Sequence, residues 1–174
     1  MNREPQDPGI RRHLFDNDSC IPNNPELPLL VYPDALPASS DLPSGCEALS
    51  RENRWEVAWR DGIFPYHHYH RIVHEVLGII RGSARLTCAG ESGVAVKAET
   101  GDVAVILTGV GHCNSGFSDD FLVGGAYPRG QSWDLRTGEF GERSEILENI
   151  RRVPFPRADC VFGVEGPLAE PWAR

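Results

Sequence analysis

The chain has no apolar run approaching the roughly 18 residues that a membrane-spanning helix needs, and its opening, MNREPQDPGIRR, lacks the apolar core of a signal peptide. A cytoplasmic location with no membrane partner is therefore expected. Paired cysteines are also lacking: Cys20, Cys46, Cys88, Cys113 and Cys160 are odd in number and form no CxxC. That pattern favours neither a disulfide framework nor a cysteine zinc site. Positive charge is scarce, with 17 Lys and Arg against 25 Asp and Glu and a formal net charge of -8. Phosphate binding wants a basic face, so nucleic acid is not an expected partner. Internal repeats and long helical periodicity are missing as well, which excludes a tandem array and a parallel α/β sheet. At 174 residues, one domain with its own core is expected.

Proline is plentiful near the start. Residues 1–50 are rich in Pro, Asn, Asp and Ser, and proline fixes φ and removes an amide donor, so no helix runs through IPNNPELPLLVYPDALPASSDLPSG. LPLLVY is the apolar exception and reads as one edge strand. The segment is expected to be an arm lying over the main domain or over a partner subunit. Ser44 and Glu47 have capping-box spacing, which predicts a short helix through ALSREN. Strand character begins near Trp55.

From Ile63 to Gly125 the pattern is β. VLGII, ARLTC, VAVKAE, VAVIL and FLVGGAY are short and rich in β-branched residues, and glycine-bearing turns separate them. Strands at this spacing predict a sandwich or barrel. Residues 139–153 put Ile146, Leu147, Ile150 and Val153 on one face of a short amphipathic helix. The tail from Pro154 is again proline-rich and is expected to be extended.

Four of the six histidines fall in YHHYHRIVHE, residues 66–75. Side chains alternate along a strand, so His68 and His70 share one face while His67 and Tyr69 share the other. Tyr66 has the parity of His68. On the following strand Glu75 goes with Leu77 and Ile79, and His74 goes with Val76 and Ile80; parity alone does not say which set faces inward. A helical zinc site through His70 and His74, four apart, is the rival geometry. The glutamate adjoins the second histidine, so HExxH is not formed, and the flanks favour a strand.

The spacing of these residues resembles the cupin signatures. In the first, Gly62, His68, His70, Glu75 and Gly82 fall in register across GIFPYHHYHRIVHEVLGIIRG. In the second, GDVAVILTGVGH, Gly101, Gly109 and His112 match, Leu107 stands where proline is usual, and Gly116 stands where an asparagine is expected. The arm, the block GGAYPRGQSWDL and the ending VFGVEGPL are similar to small bacterial YjlB-type single-domain cupins. The resemblance implies an all-β, single RmlC-like jelly-roll barrel over residues 51–130. A Pro-rich arm over 1–50 would precede it, and a 131–174 extension with a short helix would follow.

It also implies a metal site of His68, His70, Glu75 and His112, with Glu75 rather than His74 beside the two histidines and with His67 outside the set. Three imidazoles and a carboxylate suit a divalent transition metal, with Fe, Mn, Ni, Co, Cu and Zn all admissible. Glu75 is expected to be a ligand, with a role as catalytic base as the alternative. Cys113 should point away from the metal as a small buried hydrophobe. Tyr66, Tyr127 and Trp133 are candidates to line the cavity; the alternative for Tyr127 and Trp133 is packing on the C-terminal helix. Gln131 and Asp134 lie in the same mouth-covering block, and Arg129 reads as an exposed loop residue.

The expected function is a metal-dependent enzyme, oxygenase-like, acting on a small polar metabolite. The alternatives are a non-catalytic metal or small-molecule binding protein and a metal-free isomerase or epimerase. Cupins commonly pair, and a homodimer in which the arm adds to a partner's sheet is expected.

Overall fold

The computed structural model describes residues 9–37, 41–138 and 143–168. Two short strands come first, β1 (Arg11–His13) and β2 (Leu29–Tyr32), then helix α1 (Leu42–Glu52). Seven strands follow: β3 (Trp55–Asp61), β4 (Glu75–Arg81), β5 (Ser83–Cys88), β6 (Val94–Glu99), β7 (Val103–Ile106), β8 (His112–Phe117) and β9 (Leu122–Pro128). Helix α2 (Arg143–Arg152) closes the order.

The strands form two antiparallel sheets, β1-β2-β7-β4-β9-β3 and β6-β5-β8. A paired bridge between His68 and His112 adds a short fourth member beside β8. The chain changes sheet four times, between β4 and β5, β6 and β7, β7 and β8, and β8 and β9. That winding is the cupin-type jelly roll. Its interior holds Leu77, Ile79, Leu86, Val96, Ala104, Ile106 and Val123, from both sheets.

A second apolar layer covers the outer face of the larger sheet. Leu30, Tyr32, Trp55, Val76, Ile80, Val103 and Val105 meet Leu36, Cys46, Cys160 and Leu168 there. Strand β4 is thus covered on both sides, which explains why VLGII reads as an apolar run rather than as an alternation. The alternation survives as a division of labour: Leu77 and Ile79 face the interior, while Val76 and Ile80 face the outer layer.

Four expectations change here. LPLLVY is not an edge strand: β2 lies between β1 and β7, with all four residues buried. The edge is β1, three residues with Arg11 and Arg12, short and charged in the way that discourages pairing with another chain. Helix α1 begins before the expected cap: Asp41 is the N-cap and accepts from the Ser44 amide, with Pro43 in the first turn, while Glu47 pairs with Arg60. Residues 157–168 are not extended but turn tightly around buried Asp159, whose carboxylate accepts from the Tyr32 hydroxyl and the amides of Val161, Phe162 and Leu168. In α2, Ile146 and Ile150 are buried against Ile21 and Tyr69, and Leu147 is only half-buried. The first residues of the expected helix, 139–142, lie outside the described residues.

Candidate functional site

Strand parity carries Glu75 into the barrel. It opens β4 on the face of Leu77 and Ile79 and is 2% exposed. His74 has the opposite parity and serves the fold: its Nδ1 accepts from the Thr108 amide at 3.0 Å, and its Nε2 donates to the Pro154 carbonyl at 3.3 Å. Burial without a charged partner lowers the His74 pKa to about 4.

His68 and His112 are cross-strand neighbours. Each backbone amide donates to the other's carbonyl, at 3.1 and 2.9 Å, and the ring centroids are 4.1 Å apart. His70 is set two residues on, where its carbonyl accepts from the Gly109 amide at 2.8 Å and the Thr108 hydroxyl at 3.1 Å. Gly109 sits at φ +87°, and a Cβ there would lie 2.6 Å from the Asn23 carbonyl oxygen. The glycine of the second signature is therefore required by this turn.

Each of the three imidazoles turns its Nδ1 to a backbone carbonyl. His68 faces Tyr66 O at 3.1 Å, His70 faces Asp134 O, and His112 faces Val110 O at a longer 3.4 Å. A carbonyl only accepts, so each Nδ1 carries the proton and each Nε2 keeps a lone pair. That is the tautomer a metal ligand needs. Glu75 Oε2 lies 3.2 Å from His70 Nε2 and 3.3 Å from His112 Nε2. Donors about 2.1 Å from one ion are about 3.0 Å apart at right angles and about 3.4 Å apart in a tetrahedron, so these separations match edges of a coordination polyhedron. Among the described residues, the buried side-chain atoms without a hydrogen-bond partner are His67 Nδ1, His70 Nε2 and Glu75 Oε2, and the last two face each other here. The pairs that Glu75 makes with His70 and His112 thus have the spacing of donors to one ion.

The electrostatics point the same way. Burial, helped by His112, brings the His68 pKa down to about 3. Burial would also lower His70, but the Glu75 carboxylate outweighs it and the net shift is upward. Burial would raise Glu75, yet His70 and His112 hold its carboxyl well below the usual range. Positive charge is favoured beside Glu75, at His70, and disfavoured at His68.

A relay fixes the other carboxylate oxygen. Tyr127, on β9, donates to Glu75 Oε1 at 2.8 Å and accepts from Trp59 Nε1 at 3.0 Å. Gly125 makes this possible, since a Cβ there would stand 2.0 Å from the Trp59 ring. Trp133 stacks on Tyr127 with centroids 5.8 Å apart and planes 14° from parallel, and meets His70 edge-on. Its loop is strapped to the histidine segment. Arg71 donates to both Asp134 oxygens, through N and Nε, each at 3.0 Å, and Tyr69 and Arg136 exchange backbone hydrogen bonds.

These groups enclose a cavity of about 260 Å³ lined in part by His68, His70, Glu75, His112, Tyr127 and Trp133. Tyr127 and Trp133 pack on each other and on His70 rather than on α2. Tyr66 is a correction: it stands outside the cavity, 45% exposed, stacked on Phe64, which lines the mouth instead. The remaining wall is Trp59, Arg60, Asp61, Gly62, Ile63, Phe64, Leu77 and Leu135. Cys113 is buried, with Sγ 3.5 Å from His67 Nε2, and burial pushes its thiol pKa up. Arg129 and Gln131 are exposed and line no part of this cavity.

Sequence reasoning missed Trp59 and Arg71. Trp59 sits in a half-exposed strand with no motif around it, and only the paired glycines of FLVGGAY hinted that a large ring crosses β9.

No protein-family model matches the chain. It is 38% identical to the "Uncharacterized protein YjlB" of Bacillus subtilis over 174 residues, the whole of both chains. Among solved structures, procruciferin, an 11S globulin of Brassica napus, is 16% identical over 55% of this chain, with a TM-score of 0.39. A deletion mutant of Bacillus subtilis oxalate decarboxylase is 26% identical over 44% of it, with a TM-score of 0.36. The matches cover 29% and 21% of those longer chains.

Proposed function

The chain belongs to the family of the Bacillus subtilis YjlB protein, and from that premise we propose that its barrel binds one divalent transition metal through His68, His70, Glu75 and His112 and uses it on a small molecule. The observation that carries this reading is the carboxylate oxygen of Glu75 facing the imidazole Nε2 atoms of His70 and His112 at 3.2 and 3.3 Å. All three imidazoles are set by their carbonyl partners to offer lone pairs. A carboxylate oxygen against lone pairs is repulsive unless a cation, a metal ion or a proton on His70, lies between them.

Three nitrogens and one oxygen suit Mn, Fe, Co, Ni, Cu or Zn, and the absence of thiolate donors speaks against a closed structural zinc site. Bound there, the ion supplies Lewis acidity and one or two open positions for substrate or dioxygen. The protein's own part is orientation and exclusion of water. Tyr127 holds Oε1 so that Oε2 faces the imidazoles, and Leu77 and Ile63 wall the site from solvent. Glu75 reads as a ligand rather than a base, since Oε1 is held by Tyr127 and Oε2 faces the imidazole Nε2 atoms of His70 and His112. The reading requires no homodimer, because all four donors come from one chain.

Titration of metal-stripped protein with Co(II) tests the site. One equivalent should bind, with visible bands of nitrogen and oxygen ligation and no thiolate charge transfer, and Glu75→Gln should weaken it strongly. Substrate-dependent oxygen uptake by the loaded protein then separates an oxygenase from a protein that only holds a ligand. Failure to bind any of these metals would remove the proposal and favour a metal-free barrel.

A further inference from the structure

The polar groups of the cavity wall already serve one another. The Tyr127 hydroxyl both donates, to Glu75, and accepts, from Trp59. The Nδ1 atoms of all three histidines face backbone carbonyls. At the lip, Arg60 is ion-paired with Glu47, and the Asp61 carboxylate accepts from the Gly62 amide. Inside the exposed lip of Arg60 and Asp61, the free polar atoms therefore converge at one end, on Nε2 of the imidazoles and Oε2 of Glu75. The rest of the surface is Ile63, Leu77, Leu135 and the rings of Trp59, Phe64, Tyr127 and Trp133. A ligand that fills this space can form polar contacts at the metal end and must be apolar elsewhere.

Resting on the metal reading above, we propose that the site takes a small aromatic molecule carrying an oxygen chelating group, with the oxygens on the metal and the ring against Tyr127 and Trp133. A cavity of about 260 Å³ accommodates one six-membered ring with its chelating group. The stacked pair offers a flat aromatic surface for that ring. A small dianion such as oxalate fits poorly, because the lining cation, Arg60, is held by Glu47 and the wall leaves the ligand's remaining polar atoms without partners.

Calorimetric titration of Co(II)-loaded protein with benzohydroxamate, acetohydroxamate and oxalate tests this. The two hydroxamates share a chelating group and differ by the ring. Benzohydroxamate should bind at least about tenfold more tightly than acetohydroxamate, with oxalate the weakest. Trp133→Ala should bring the two hydroxamates within about threefold of each other while one equivalent of cobalt still binds, and Trp133→Phe should restore most of the preference. Equal affinities in the wild type, or oxalate binding most tightly, would overturn the ligand class and leave the metal site standing. Failure of cobalt to load would instead remove the metal reading, and this inference with it.

Discussion

Tyr127 donates its hydroxyl to Glu75 Oε1 at 2.8 Å, one residue beyond the paired positions Val76 and Ala126 of β4 and β9. This cross-strand contact leaves Glu75 Oε2 as the oxygen that faces the imidazoles. Loss of the hydroxyl should therefore free the carboxylate to rotate. Tyr127→Phe is expected to keep the fold and to weaken metal binding by about 10- to 100-fold, the usual cost of removing a partner that orients a ligand. Competition against a chelator of known affinity reads this directly. An unchanged affinity would mean that the hydroxyl does not orient Glu75.

His74 makes stability depend on pH. In the unfolded chain its pKa is near 6.5, and in the fold burial brings it to about 4. Between these values the unfolded state binds more protons, so stability is full above 6.5 and falls as pH drops through the window towards 4. The difference is worth about 3 kcal/mol. Urea unfolding of metal-free protein at pH 7 and pH 5 should show the decline, with a smaller slope in His74→Gln. Equal slopes in the two proteins would place the dependence elsewhere.

The turn at Gly109 admits no side chain. Gly109→Ala combines a left-handed backbone with a Cβ 2.6 Å from the Asn23 carbonyl oxygen. A loss of about 2–4 kcal/mol in unfolding free energy is expected, together with weaker metal binding because the Gly109 amide bonds the His70 carbonyl. Near-wild-type stability would contradict this account of the second signature.

The strap over the mouth depends on Asp134 and Arg71, both about one-fifth exposed. A double-mutant cycle of Asp134→Ala and Arg71→Ala should return a coupling of about 1–2 kcal/mol. Asp134→Ala alone should also broaden the environment of Trp133, seen as a red-shifted fluorescence. Additive losses would show that the pair holds nothing together.

Much of this was legible in the sequence. Strands β5 and β6 follow from alternation because each has one buried and one more open side, and the shared face of His68 and His70 follows from the same parity although Tyr69 on the other face is also buried. Strand β4 defeated that reasoning, since both its faces are covered and its parity has no polar side to mark it. The cover comes from Leu36, Cys46 and Leu168, far away in sequence. LPLLVY is an interior strand rather than the expected edge because β1, separated from it by a loop, pairs along its outer side. Strand β8, HCNSGF, has little β propensity and is held by its pairing with β5. The cap at Asp41 beat the one at Ser44 because Pro43 suits a first turn. The carbonyl partners of the histidines were invisible, as backbone acceptors leave no residue signature.

The most direct test is elemental analysis of untagged protein beside a His68→Ala, His112→Ala double variant, both reconstituted with Mn, Fe, Co, Ni, Cu and Zn. Close to one equivalent of a transition metal in the wild type, lost in the variant while the fold persists by circular dichroism, is the predicted result. No metal in either protein, or equal metal in both, would contradict the account.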